Sequence, residues 1–536
     1  MSTSNSCFML SNSMTSIMSN NNNNNDESYP SMVNLNENST NKTSVQQFYM
    51  GRSIFITGGS GFLGKILIQK LLRSCTDITT IYILIRPKKG NNIEDRLNNI
   101  FGNVVFDQLK VEVPNFRSKI VPIVGDLSVD KLGLSDYDEN LLKQNVSIVF
   151  HVGASIRFTE DIKTATTINI SSTDYLLHMA KNMKKLKAFI YVSTIYANCH
   201  SKHIGEYFYT YPIDYQTLRT LTRDLKSEEV SKKIVELFPE YINTYVFTKA
   251  MAESLIRDTS KELPIGVFRP AIVLSPAEEP LVGWIDNYFG PVGLIAYYFK
   301  GIAKYLWADS KCTANIVPVD KAINALIVSA WDVFNKSERR SEETLIYNYI
   351  SSNDAPLTWG KYFYSAQNIF EKYVVKRSSL TITLIKNNIL FNFCCWLALS
   401  VTLMVNRTNG VDIQSIRKIY NKFHYAMSII GYWAVNEWTY TNDNVHAMWY
   451  NLDKRDKHLF NFDMQGFNWP NYLDGHFKGI FTYLFKEDLN ILEVKNRANI
   501  VEKRQRQFHL NNIMILSLFS LIILFICLIL MPIIWR

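Results

Sequence analysis

The sequence predicts an α/β protein: a doubly wound parallel sheet, then a helical domain, then a C-terminal transmembrane helix. Three observations predict it. From Gly51 to about Ala330, short β-branched runs alternate with helical patterns, as they do where crossover helices join parallel strands. A glycine turn, Gly58, Gly61 and Gly64, separates the first apolar run from the first helical pattern. From Ile513 to Trp535 the chain carries no charge and is long enough to span a bilayer.

The chain of 536 residues has room for two or three domains, and a hydrophobic content of 47% permits large cores. Its 57 basic and 48 acidic residues leave +9, but the two signs are mostly mixed. That balance gives no indication of nucleic acid. The 7 Cys show neither disulfide-domain density nor Cys-x-x-Cys spacing, which predicts a reducing compartment and no metal site. Residues 1–47, rich in Ser, Asn and Met, lack a secretory apolar segment. They read as a disordered tail, with too little to bury against the entropy of ordering. The expected organisation continues with a nucleotide-binding domain at 48–370, a helical domain at 371–490, a basic linker at 491–512 and an anchor at 513–535.

In chain order, Ser53–Thr57 is the first strand. Gly58 makes the turn, Gly61 lets the backbone approach a phosphate, and Gly64 lets the following helix pack closely. The helix N-terminus offers unpaired N–H groups and a partial positive charge to an anion. This is the pyrophosphate end of a Rossmann-type dinucleotide site, with Ser60, Phe62 and Leu63 joining the three glycines. The second strand, Ile81–Ile85, ends in Arg86-Pro-Lys-Lys89, where an NAD site places Asp or Glu. A basic group such as Arg86 suits a 2′-phosphate, so NADPH is expected; a solvated basic loop is the alternative. After the third strand, Ile120–Val124, Asp126 can accept a hydrogen bond from the adenine amino group or cap a helix. After the fourth, Ser147–Phe150, come His151-Val-Gly-Ala154, small enough to let the backbone pass close to the cofactor.

The fifth strand, Ala188–Val192, ends in the hydroxyls Ser193 and Thr194, and Tyr245-Val-Phe-Thr-Lys249 follows. On a helix Tyr245 and Lys249 share one face. A lysine ammonium beside the phenol lowers its pKa and can reach the nicotinamide ribose. Tyr245 can then protonate an oxygen left by hydride attack while Thr194 polarises the carbonyl, with Ser193 the alternative hydroxyl. Ile265–Phe268 is the sixth strand, closed by Arg269-Pro270. Gly283 to Pro291 reads as a loop at the substrate mouth or a rigid turn, and Asp320 as the cap of a helix from Lys321. Ser379 to Val405 is apolar but broken by Lys386, Asn387, Asn388 and Asn392, which predicts a buried or interfacial amphipathic helix rather than a span. Asn436-Glu-Trp438, Asp463, Trp469 and Tyr472 read as the core of a small helical domain. Lys495, Arg497, Lys503, Arg504 and Arg506 precede the final apolar stretch and only Arg536 follows it. The positive-inside rule then predicts a single-pass membrane anchor with the catalytic body facing the cytosol, on endoplasmic reticulum or peroxisome.

Taken together, these motifs resemble the fatty acyl-CoA reductases that make long-chain alcohols, the animal and insect type in particular. The resemblance is carried by Thr57-Gly-Gly-Ser-Gly-Phe-Leu-Gly-Lys65, Tyr191-Val-Ser-Thr-Ile-Tyr196, Tyr245-Val-Phe-Thr-Lys-Ala-Met-Ala-Glu253 and Gly283-Trp-Ile-Asp-Asn287. Val317-Pro-Val-Asp320 and Asn436-Glu-Trp438 add to it. It implies an extended short-chain dehydrogenase/reductase followed by a smaller helical domain. It also implies a long-chain acyl-CoA substrate reduced by two NADPH, through an aldehyde, to a primary alcohol. Thr194, Tyr245 and Lys249 match the family's catalytic positions, and Gly58, Gly61 and Gly64 its nucleotide turn. The chain departs from the pattern at Gly153-Ala154, at Ser172 before Thr173, at Ala271 and at Val282, none of them a catalytic position. The competing readings are an NADP-dependent lipid dehydrogenase or isomerase of the 3β-hydroxysteroid type, and a silent nucleotide-binding membrane scaffold. The first should lack Asn436-Glu-Trp438; the second should have lost Tyr245 or Lys249.

Overall fold

The computed structural model describes residues 42–487 apart from 89, 91, 241, 260, 262, 339–343, 374–380 and 408–412. Strands β1 (Ser53–Thr57), β2 (Thr80–Ile85), β3 (Ile120–Val124), β4 (Ile148–His151) and β5 (Ala188–Val192) form where the β-branched runs fall. Every residue of β1, β4 and β5 is buried, because helices cover both faces of the sheet. With Ile265–Pro270 and Leu345–Tyr349 they make one seven-stranded parallel sheet. Its order from one edge is Leu345–Tyr349, Ile265–Pro270, β5, β4, β1, β2, β3. The strand at Leu345–Tyr349 lies past the alternating region and was not among the six strands the sequence pattern suggests.

Alternation along the strands divides the interior into two cores. Ile54 and Ile56 face the helix Phe62–Ser74 and, with Ile66 and Leu67, join one of them. Phe55 and Val149 face the other side with Phe247, Met251 and Leu255 of the helix Thr244–Thr259. Strand order reverses between β1 and β4, and the register there sets Thr57 beside His151 and His151 beside Tyr191. A crevice at the carboxyl ends of such strands is where open α/β sheets bind ligands.

The first core continues without a break into the C-terminal helices, as far as Phe481. The segment is tied back twice by short parallel pairs, Thr383–Ile385 on Tyr305–Trp307 and Thr439–Tyr440 on His203–Ile204. The helix Trp469–Gly479 packs on the helix Trp359–Tyr373.

The expected transmembrane helix is corrected here, together with the bilayer partner and the membrane location drawn from it. Among the described residues no helix is long and apolar enough to cross a membrane, and the stretch from Ile513 to Trp535 lies outside the described residues. The helix Asn388–Arg407 buries Phe391, Cys395, Leu397 and Val401 in protein contacts and exposes Asn392. It also exposes Ile389, Leu390, Trp396 and Met404, so it is packed on one side and apolar on the other rather than amphipathic.

Candidate active site

The glycine turn is compressed to the limit of what a backbone allows. Gly58 has φ +73°, and a Cβ there would stand 2.7 Å from the Gly153 nitrogen. A Cβ on Gly64 would stand 2.2 Å from the Gly58 oxygen. Turn, post-β4 loop and helix therefore meet only because these positions carry hydrogen. The Gly61 N–H closes the turn on Gly58 O at 2.9 Å. Gly61 also caps the helix Phe62–Ser74 without a side-chain bond, and no acid stands in its first turn. That N-terminus fits an anion such as a dinucleotide pyrophosphate.

A cavity of about 1000 Å³ runs from this cradle past the end of β5. Gly58, Ser60, Gly61, Phe62, Leu63, Gly64, Arg86, Asp126, Thr194, Tyr245 and Lys249 all line it. The structure thus brings together, in one cavity, every residue the sequence singles out for cofactor or catalysis. Arg86 is 67% exposed, 3.7 Å from Asp126, whose other oxygen accepts the Ser128 N–H at 2.9 Å and holds the turn after β3.

At the strand ends a hydrogen-bond chain sets the loop that follows β4. Thr57 Oγ1 lies 2.7 Å from His151 Nδ1, and His151 Nε2 lies 2.9 Å from Thr173 Oγ1. Thr173 donates to Asn169 O at 2.8 Å, and the Gly153 N–H donates to Thr57 Oγ1 at 3.1 Å. One proton assignment satisfies all four: Thr57 donates to Nδ1, and Nε2 carries the proton. Burial, then the nearby Lys249 charge, pull the His151 pKa down to about 3, so it is neutral. Asn169, in a π-helical turn at Thr167–Ser171, bonds both Ser155 N and Ser155 O and donates to Thr248 Oγ1 at 2.9 Å. It fastens the post-β4 loop to the helix of Tyr245 and Lys249. Ser172 is buried and turns its hydroxyl back onto Ile168 O.

The helix Thr244–Thr259 carries both Tyr245 and Lys249 to the cavity. Thr194 lies beside the Tyr245 phenol and holds its pKa down, but burial outweighs it and pushes the phenol up to about 12. Lys249 Nζ donates to Val192 O at 2.7 Å and to Tyr191 Oη at 3.2 Å, and lies 4.4 Å above the Tyr191 ring. Burial pulls its pKa down to about 7 against the pull of Glu253. The expected lowering of the phenol pKa by Lys249 is not what the structure has: desolvation of Tyr245 dominates, and the ammonium is held by β5. The two hydroxyls after β5 have different partners. Ser193 donates to Glu253, which is bound in turn by Arg269 at 2.9 and 2.6 Å. Thr194 is left to face Tyr245.

Several cavity residues are missed by sequence reading. Phe158 stands edge-on to Tyr245, ring centroids 5.8 Å apart, and is tilted on Trp433 at 5.4 Å. Tyr196 meets Trp433 at 5.7 Å. Ile430 and Trp433 come from the helix Ile413–Val435, so the C-terminal segment walls the site. Asn436-Glu-Trp438 holds that helix in place: Trp438 Nε1 donates to Cys199 O at 2.9 Å, and Glu437 accepts the Thr313 N–H at 2.8 Å. The motif was the available signal, but nothing local relates it to a cavity. The loop from Gly283 is pinned to the nucleotide helix by Lys65 on Asp286 at 2.6 Å and by Trp284 stacked on Phe62 at 5.4 Å.

A cradle for a dinucleotide that opens into the same cavity as a phenol and an ammonium defines a Rossmann-type NAD(P)-binding oxidoreductase. Two family models described as male sterility protein, the first an NAD-binding one, match residues 56–326 and 393–487. The fatty acyl-CoA reductase wat of Drosophila melanogaster is 35% identical over 455 residues, covering 83% of this chain and 87% of its own length. Fatty acyl-CoA reductase 1 of Mus musculus is 31% identical over 488 residues, covering 90% and 93%. The chain belongs to the fatty acyl-CoA reductase family; identities of this size show the family rather than a subtype within it. Among solved structures, the reductase domain of a nonribosomal peptide synthetase from Mycobacterium tuberculosis shares the fold with a TM-score of 0.53 at 16% identity, covering 83% of this chain and 93% of that one. The terminal R domain of the myxalamid pathway does so with a TM-score of 0.52 at 17% identity, covering 81% and 91%.

Proposed function

We propose that this chain is an alcohol-forming fatty acyl-CoA reductase, taking a long-chain acyl-CoA through an aldehyde to a primary alcohol and CoA with two NADPH. The observation that carries the reading is the Thr194–Tyr245 pair in the cavity that also holds the glycine cradle. Bound NADPH supplies hydride. The cradle at Gly58, Gly61 and Gly64 would hold its pyrophosphate, and Arg86 its 2′-phosphate.

Thr194 and Tyr245 are placed to donate to the carbonyl oxygen as negative charge builds there. A phenol held near pKa 12 stays protonated at neutral pH, so it is available as donor and proton source. In the first reduction the two donors hold the oxyanion until it collapses and expels the thiolate of CoA. In the second, Tyr245 gives its proton to the alkoxide formed from the aldehyde. Lys249, fixed by Val192 O and Tyr191, lines the same cavity as a cation for the bound dinucleotide. The oxygen occupies the same place in both steps, so one site serves both.

Product analysis with a panel of acyl-CoAs tests this. Alcohol is expected, with two NADPH consumed per acyl group. Tyr245→Phe should lower kcat by roughly 10²–10⁴-fold while NADPH binding is kept. Aldehyde as sole product would sink the second reduction, and normal turnover by the variant would sink the acid role.

A further inference from the structure

We propose that Arg157 is the phosphate-binding residue for the CoA moiety of the substrate. The inference rests on the acyl-CoA reading above and deepens it. A CoA thioester brings a diphosphate and a phosphomonoester, so the way out of the cavity needs a reachable cation that is not tightly committed.

Among the described residues three cations line the cavity: Arg86, Arg157 and Lys249. Lys249 is 2% exposed and committed to Val192 O and Tyr191. Arg86 follows β2 and stands beside Asp126 after β3, on the side of the nucleotide cradle. Arg157 belongs to the loop after β4 and directly precedes Phe158, the ring that packs on Tyr245. Its side chain is 75% exposed, and its ion pair with Glu160 is long, at 4.0 Å. That carboxylate already accepts the Ser155 hydroxyl at 2.9 Å.

The backbone on either side of Arg157 is held. Asn169 bonds Ser155 through both its N–H and its carbonyl, at 2.8 and 3.1 Å. Phe158 is set between Tyr245 and Trp433. The loop is thus held on both sides of Arg157 and presents its planar, bidentate donor toward solvent. A thioester carbonyl at Tyr245 would send its pantetheine arm past Phe158 and bring the phosphates to this guanidinium.

The test compares the full-length wild type with Arg157→Gln on two thioesters of one acyl chain, hexadecanoyl-CoA and hexadecanoyl-N-acetylcysteamine, the second without phosphate. The variant is expected to raise KM for the CoA thioester about tenfold, while KM for the phosphate-free thioester and the NADPH Kd stay within about twofold. Arg157→Lys, which keeps the charge and loses the fork, should recover part of the difference. Equal effects on both thioesters, no effect on either, or a rise in NADPH Kd would each overturn the assignment. Wild type that reduces neither thioester would overturn the acyl-CoA reading itself, a result that the variant comparison does not produce.

Discussion

Glu253 shows how one buried charge gathers partners from distant parts of the chain. Its carboxylate takes the Ser193 hydroxyl, the Asn198 amide at 3.2 Å and two Arg269 nitrogens. Side chains of the ion pair are 2% and 0% exposed. Ser193 is drawn inward, and the next residue, Thr194, meets Tyr245. Removing one partner of a buried pair leaves the other charge without compensation. Glu253→Gln is therefore expected to cost about 3–5 kcal/mol in urea unfolding; a loss below about 1 kcal/mol would mean that the Gly205 and Tyr207 carbonyls, which Arg269 also reaches, suffice for the guanidinium. Glu253 is legible in sequence as part of the Tyr245 motif, but its role is not. Its partner belongs to the neighbouring strand, and only folding sets the two within reach.

Among elements, the contact between the Gly283 loop and the helix Trp469–Gly479 is the most demanding. A Cβ on Gly479 would lie 1.8 Å from Gly283 O, and one on Gly283, whose φ is +75°, would lie 2.3 Å from Gly475 O. Both obstacles are backbone, so neither can rotate away. Gly479→Ala is expected to lose about 1–3 kcal/mol of stability, as overpacking does, and to lower kcat/KM with it. The displaced loop carries Ile285, Asp286 and Asn287 into the cavity. An unchanged thermal midpoint would show that helix and loop can separate without cost. Periodicity marks the C-terminal helices in sequence, and the glycines mark the loop. That Ile430 and Trp433 line the cavity is a matter of docking, which periodicity does not encode.

For the molecule as a whole, two histidines buried in the neutral form set a response to acid. Burial pulls His151 and His476 down to about 3 from 6.5. His476 is held by Ser275 at 2.8 Å and Tyr362 at 3.3 Å. Between pH 6.5 and 3 the unfolded chain takes up protons at both positions and the folded chain does not. The stability they contribute is complete above pH 6.5 and is lost as pH falls toward 3. Each steepens the loss by up to about 1.4 kcal/mol per pH unit. Glu206, pushed up to about 7 by burial, and the raised Asp320 and Asp456 act in the opposite sense. The measurement is therefore a difference. Unfolding free energy should fall less steeply from pH 6 to 4 in His476→Gln than in the wild type, and parallel slopes would remove His476 from the account.

What the sequence determined by itself is what neighbouring residues decide: six of the seven strands, the glycine cradle, and Tyr245 and Lys249 on one helical face. Each depends on a pattern a few residues long, where backbone sterics and hydrophobic period act directly. The cavity, its lining and its family then agree with that reading, whereas the membrane span read from a run of apolar residues has no counterpart among the described helices. Only the tertiary structure decided that Thr194 rather than Ser193 faces the phenol, that Lys249 is held by β5, that Leu345–Tyr349 completes the sheet, and that a C-terminal helix closes the site. Those choices are made by contacts such as Trp438 on Cys199, 239 residues apart. Packing selects such partners from the whole chain, so no local pattern contains them.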